Sequence, residues 1–393
     1  MTPLKNRLPR RLSIAQDWWW AIGIFLSVSL LRLSIVSALA EDRGKSLDDV
    51  LMRWDSVHYV AIARGGYFEM GAGIPPNEYE TRLAFFPLFP FSMRVVHSLT
   101  GLSYLQAGML VNFLAGIAMV AAVMFLAAHL EAPLWSRIAA GVMVAGAPMG
   151  LTYNMPYTEA MFAAFAYWAL WAMLQRRWFL AGTLVFFTCL TRITGVDLLI
   201  VFLLVVLAWG RKNWRAWVAL FAAPLGMVTY LWFVNSHTQH IGGYFGLQQK
   251  GWNSKFDFGA SSVKFLSWCF NASSDSWVVA CGFFMIWAAA CILMTVRSLP
   301  WPVWLFSSGI AANVLLADGV VTSRPRLLLP AVICMVPLAI LVTRREASTS
   351  SGSWREAADD MAFWLRWAVL TVGWILLGAL ISVHPLLATK WAI

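Results

Sequence analysis

Asp55, His58 and Tyr59 stand at i, i+3 and i+4 in a stretch whose apolar residues Leu47, Val50, Leu51, Trp54, Val57, Ala61 and Ile62 keep helical spacing. That spacing predicts one amphipathic helix over 47–63, with His58 and Tyr59 close enough to touch the Asp55 carboxylate. A carboxylate at an interface with hydrogen-bonding neighbours is what a general base for a sugar hydroxyl requires, and such a base is worth roughly 10² to 10⁴ in rate. Spacing alone fits a solvated aspartate on an interfacial helix at least as well. Gly65, Gly66 and Tyr67 end the helix, and a connection containing Pro75 and Pro76 leads to Glu80 and Arg82. The run Phe85-Phe86-Pro87-Leu88-Phe89-Pro90 follows, its two prolines fixing the approach of the chain to the membrane surface. Residues 53–90 hold the largest cluster of ionisable side chains in the chain.

The elements around that cluster are built for lipid. Of 393 residues, 60% are hydrophobic and 12% charged, which excludes a water-facing surface over most of the chain. The fold class is an all-α polytopic membrane protein. About eleven stretches approach the roughly 20 apolar residues that cross a bilayer: 18–40, 104–130, 138–153, 157–174, 178–192, 194–209, 216–235, 277–296, 301–317, 327–343 and 361–383. The apolar run that opens the series follows Lys5, Arg7, Arg10 and Arg11 and is too long for a signal peptide, so it reads as a retained anchor. With that basic end inside, alternation puts Arg137, Arg176 with Arg177, Arg211 with Lys212 and Arg215, Arg297, and Arg344 with Arg345 inside as well. The same rule accounts for the net charge of +10 without a nucleic acid partner. It leaves 41–103 and 236–276 as two large external loops of a single domain spanning 1–393, with 84–100 as a helix lying along the membrane. The Ser-rich segment 344–360 reads as a flexible linker. The five cysteines show no metal or disulfide spacing, and His237 with His240 is too little for a metal site, so no metal or other cofactor is expected.

Alternation also isolates the basic residues that remain outside: Arg53, Arg64, Arg82, Arg94, Arg192, Lys250, Lys255, Lys264, Arg324 and Arg326. A site holding a phosphorylated lipid on the outer face accounts for several of these at once. Arginine forks suit phosphate oxygens, which favours Arg192, Arg324 and Arg326, with Lys250 a movable contributor from the later loop. Salt bridges to Glu80, Glu159 or Asp257 explain any single one of them equally well. Asp197 and Asp318 read as structural, and Arg32 in the first span as snorkelling or paired with an acid. A transporter would place its polar groups near the bilayer midplane, whereas here they gather on one face.

The order Trp54-Asp55-x-x-His58-Tyr59-x-x-Ile62-Ala63-x-x-Gly66-Tyr67, then Tyr79-Glu80-x-x-x-Ala84-Phe85-Phe86-Pro87-x-Phe89-Pro90, resembles the signature of the GPI mannosyltransferase II (PIG-V) family and its bacterial relatives. Pro156-Tyr157-Thr158-Glu159-Ala160-Met161-Phe162 is similar to the family's Tyr-Ser-Glu segment, and Thr191-Arg192-x-Thr194-Gly195 to its Arg-x-x-Gly turn. Gln249-Lys250-Gly251-Trp252 and Arg324-Pro325-Arg326 are looser matches. The resemblance implies a GT-C membrane glycosyltransferase that takes a sugar, usually mannose, from a polyprenyl-phosphate carrier on the non-cytoplasmic face, here of a bacterial inner membrane. It implies Asp55 as catalytic base, an inverting displacement, and a donor site drawn from His58, Tyr59, Glu80, Arg82, Tyr157, Glu159, Arg192, Lys250, Arg324 and Arg326. Arabinofuranose or glucose could replace mannose. Glycolipids, lipoglycans and secreted proteins all stand open as acceptors.

Overall fold

The structure, a computed structural model, describes residues 11–69, 78–271, 275–343 and 353–388. Lys5, Arg7, Arg10, Pro75, Pro76, Arg344, Arg345 and most of the Ser-rich segment lie outside the described residues. Among the described residues there is no β-sheet; one isolated bridge joins Phe256 to Ala317.

The chain begins with α1 (Arg11–Glu41) and three short helices, α2 (Leu47–Leu51), α3 (Asp55–Gly65) and α4 (Glu78–Arg82). Next come α5 (Leu88–Thr100), α6 (Tyr104–His129), α7 (Leu134–Ala145), α8 (Glu159–Leu174), α9 (Trp178–Cys189) and α10 (Gly195–Val205). The second half holds α11 (Trp214–Ala222), α12 (Leu225–His237), α13 (Gly243–Trp252), α14 (Ala260–Asn271), α15 (Ser276–Thr295) and α16 (Trp301–Leu315). It ends with α17 (Arg324–Leu327), α18 (Val336–Val342) and α19 (Ser353–Ala388).

Helix starts follow their side chains. Ser46 with Asp49 and Ser103 with Gln106 form reciprocal capping boxes at α2 and α6, and Asp275 caps α15. At the centre α6 packs against α1, α7 and α8, and α8 packs against α9. Small residues permit the close approaches: a Cβ on Gly182 of α9 would come 2.7 Å from the Ala219 Cβ of α11.

Each of the eleven apolar stretches contains a helix, but length supports fewer crossings. Among the described residues five helical segments are long and apolar enough to span a membrane, or six if the bent pair Val321–Leu327 and Leu329–Val342, 52° apart, counts as one. The shorter ones stop early where the chain is needed for something else. The stretch 138–153 leaves the helix after Ala145 and becomes a turn and a 3-10 segment, Gly150–Tyr153. The stretch 327–343 is interrupted by a 3-10 run over Leu329–Met335. Segment 84–100 holds only the 13-residue α5, too short to cross.

The single helix expected over 47–63 is instead two. The break falls at Met52–Trp54, where Trp54 takes φ 53° and ψ −124°, a region a bulky residue occupies only when its surroundings enforce it. Tyr157 supplies that force: its hydroxyl accepts from the Asp55 amide at 3.2 Å and donates to the Arg53 carbonyl at 3.5 Å. Helical periodicity carries no trace of a partner 102 residues away.

Candidate functional site

Asp55 is the first residue of α3, and the strained turn before it sets where its carboxylate points. Arg326 Nη1 donates to Asp55 Oδ2 at 2.5 Å, and the guanidinium lies 4.9 Å over the Tyr157 ring. Arg326 Nε is 3.7 Å from Glu159 Oε1, and Arg192 Nη1 donates to the same oxygen at 2.8 Å. Two acids and two guanidiniums thus alternate in one chain, Asp55, Arg326, Glu159, Arg192. Glu159 is 1% exposed and Arg326 9%, whereas the Asp55 side chain keeps 21% of its surface open. The inner pair is buried and the outer acid is reachable.

Each member is held by its own element. Glu159 opens α8, where the positive end of the helix dipole favours a carboxylate. Asn112 of α6 donates to the carbonyls of Met155 at 2.5 Å and Tyr157 at 2.8 Å, clamping the segment that leads into α8. Arg192 sits in the turn between α9 and α10. That turn closes tightly because Gly195 lies against Cys189; a Cβ there would meet the Cys189 Cα at 2.8 Å. The first loop docks on the same turn through Leu88 N–H to the Leu190 carbonyl at 3.2 Å. Tyr67 and Tyr230 both donate to the Phe85 carbonyl, at 2.8 and 2.7 Å, and pin the Phe-Phe-Pro run against α12.

The sequence-stretch partners divide between this centre and its margins. Arg192 and Arg326 enter the chain of charges, as do Glu159 and, through its hydroxyl and ring, Tyr157. His58 stacks on Phe85 with ring centroids 5.0 Å apart, and Tyr59 packs edge-on against Phe85 and Phe89, its hydroxyl 3.4 Å from Thr158 Oγ1. Glu80 pairs with neither Arg82 nor Asp55. It accepts from Lys250 at 2.8 Å and from His240 at 2.9 Å, so α13 is clasped to α4. Those hydrogen bonds, Lys250's first, hold the Glu80 carboxyl below its usual range, and the clasp is complete at neutral pH and released as pH falls through that depressed value. Arg82 donates weakly to the Glu69 carbonyl at 3.4 Å. Arg324 donates to Ser262 Oγ at 2.6 Å and to the Ala317 carbonyl at 2.8 Å, away from the site. Residues two apart on a helix diverge by about 200°, so Arg324 and Arg326 cannot face one ligand from one helical turn.

Other expectations change too. Arg32 neither snorkels nor meets an acid: it is buried, donating to Gly150 O at 2.7 Å, Asn154 Oδ1 at 2.9 Å and Ala145 O at 2.5 Å. Arg94 needs no lipid phosphate to explain it, because it donates to the Ala63 and Ile62 carbonyls at the end of α3. Asp197 and Asp318 are tied to Asn313 and Asn253. Among the described residues no group of three metal-binding side chains converges. Asn112 is the supporting residue that sequence reasoning missed, although a lone asparagine inside the apolar run 104–130 was the available signal.

Pro325, the residue before Arg326, lines an apolar cleft of 50 Å³ whose other walls include Trp287, Cys291, Ile292, Leu328 and Trp374. None of the four charged residues lines that cleft; the link between the two is the short helix α17, which carries both Pro325 and Arg326.

This fold is that of the GT-C membrane glycosyltransferases. The chain is similar to ArnT from Cupriavidus metallidurans, whose crystal structures are known bound to undecaprenyl phosphate and in the apo state. The TM-score is 0.57 to each, at 14% and 15% identity, covering 94% and 93% of this chain and 78% and 77% of ArnT. Residues 24–208 match the family model described as Mannosyltransferase (PIG-V), the family whose signature the first loop resembles. That match takes in Asp55, Glu159 and Arg192 and stops short of Arg326. No curated protein matches the sequence.

Proposed function

We propose that the chain is an inverting glycosyltransferase that moves a sugar, mannose first among the choices, from a polyprenyl-phosphate donor to a glycolipid or lipoglycan acceptor. Its place is a bacterial plasma membrane, with the reaction on the extracytoplasmic face and no metal required. The observation that carries this reading is the chain of alternating charges Asp55, Arg326, Glu159, Arg192 with its one accessible carboxylate. The family match supports mannose, and the ligand named for ArnT supports the lipid carrier.

In this mechanism the donor phosphate draws the Arg326 and Arg192 guanidiniums, and the prenyl tail leaves along the cleft past Pro325. At 50 Å³ the cleft takes only the start of the tail, and the rest lies in lipid. Turning Arg326 toward the phosphate frees Asp55 Oδ2. Asp55 then accepts the proton of the acceptor hydroxyl as that oxygen bonds to the anomeric carbon. The bond from that carbon to the phosphate oxygen breaks, the electron pair stays on the phosphate, and the two guanidiniums meet the growing charge. Glu159 stays buried and fixes both arginines.

The test is to supply purified protein in nanodiscs with polyprenyl-phosphate mannose, arabinofuranose or glucose and to follow donor consumption and product. Wild type is expected to consume the mannose donor and invert the anomeric centre. Asp55→Asn is expected to lose roughly 10² to 10⁴ of the rate while melting like wild type. A folded Asp55→Asn protein with full transfer refutes the base, and consumption of none of the donors refutes the function.

A further inference from the structure

A second charged concavity lies at the far end of the same helices. α8 runs from Glu159 to Leu174, about 24 Å at 1.5 Å per residue, and α9 returns from Trp178 toward Arg192. Where they turn, Arg176, Arg177 and Arg215 line a cavity of 470 Å³ together with Asn213, Trp178 and Trp209. Its lining is mainly polar, unlike the cleft at Pro325. No acid neutralises it: among the described residues none of the three arginines forms a salt bridge. Arg177 lies 5.0 Å over the Trp171 ring and Arg215 5.8 Å over Trp214, which leaves their guanidiniums directed by aromatic faces rather than by carboxylates.

A scatter of basic residues is what the positive-inside rule produces anyway. Two features go beyond it. The arginines meet in one cavity, and Arg176 occupies the left-handed position that ends α8, with φ 54°. There the Arg177 amide donates to Ala172 O and the Arg176 amide to Met173 O, the closing pattern in which glycine is the relaxed choice. Arginine at that position strains the backbone while setting a charge at the cavity mouth. The first turn of α9, whose amides have no intrahelical acceptors, adds partial positive charge to what the guanidiniums already supply. Around the cavity, exposed Phe179, Leu180 and Trp214 suit the level where headgroups meet acyl chains.

We infer that this cavity binds the phosphate of an anionic phospholipid headgroup, in the leaflet opposite the one that serves Asp55. The site is independent of the transfer reaction, and its size suits a whole headgroup rather than a single ion. Basic pockets of this kind between helix ends recognise anionic lipids by charge and fit together.

The experiment compares full-length wild type, Arg176→Gly and the triple variant Arg176→Gln/Arg177→Gln/Arg215→Gln by native mass spectrometry and thermal unfolding. The additions are phosphatidylglycerol, phosphatidylcholine and inorganic phosphate. Wild type is expected to retain phosphatidylglycerol over phosphatidylcholine and to melt higher with it. The triple variant should bind it roughly a hundredfold more weakly, at about fivefold per guanidinium. Arg176→Gly separates binding from folding. Relaxing the backbone should raise its melting temperature in phosphatidylcholine by about 2 °C while its retention of phosphatidylglycerol falls. Equal retention of the two lipids by wild type, or undiminished retention by Arg176→Gly, overturns the site. Protection by inorganic phosphate equal to that by phosphatidylglycerol assigns the cavity to a soluble phosphate and overturns the lipid.

Discussion

Glu159 carries a carboxylate that is 1% exposed and has two guanidiniums within 4 Å of one oxygen. Neutralising a buried acid in this way is costly to undo, because removing one partner leaves the other charge uncompensated. Arg326→Met leaves Glu159 with Arg192 but takes the guanidinium from Asp55, and it is expected to destabilise the protein by about 1 to 3 kcal/mol and to abolish transfer, measured by thermal unfolding in nanodiscs and by donor consumption. Arg326→Lys keeps the charge and loses the planar fork that reaches Asp55 and Glu159 together. It should fold and transfer about 10²-fold more slowly. Equal activity of the lysine variant would show that a point charge suffices.

At the scale of elements, the site depends on how one irregular segment is held between α7 and α8. That segment, from Gly146 to Thr158, leaves its backbone carbonyls to be satisfied within an apolar bundle. Arg32 of α1 takes one of them, at Gly150, together with the last carbonyl of α7, at Ala145, and Asn112 of α6 takes two more, at Met155 and Tyr157. Tyr157 then breaks the first-loop helix at Trp54 and places Asp55. Arg32→Met is expected to cost about 1 to 3 kcal/mol for each acceptor left unpaired, with transfer lowered because Tyr157 and Glu159 lose their support. Melting and rate are read together, and Arg32→Lys should restore part of both. A variant that melts lower yet transfers normally would separate Arg32 from the site.

At the scale of the whole molecule, the charge chain at Asp55 and the arginine cavity at Arg176 lie at opposite ends of the 16-residue α8, and the proposed function puts them on different sides of the membrane. The five native cysteines are all buried, which leaves introduced thiols to report alone. In intact cells a membrane-impermeant maleimide is expected to label Lys45→Cys, in the first loop, and to label Lys212→Cys only after the membrane is opened. The reverse pattern would invert the orientation and put the transfer reaction in the cytoplasm.

Much of this was legible before folding. Composition determined a multi-pass helical protein, because so apolar a chain has only lipid or its own interior to face. Motif order in the first loop singled out Asp55, and the fit of guanidinium forks to phosphate favoured Arg192, Arg324 and Arg326 among ten outward-facing basic residues. What only the tertiary structure decided is which charges meet. Arg324 and Arg326 read alike in sequence yet diverge around a helical turn, and Glu80 chose Lys250 and His240. Asp55 and Arg326 are 271 residues apart, and the break at Trp54 is imposed by a distant tyrosine. Periodicity records which face of a helix is apolar; the direction in which a side chain points across an interface is set by partners that periodicity does not contain.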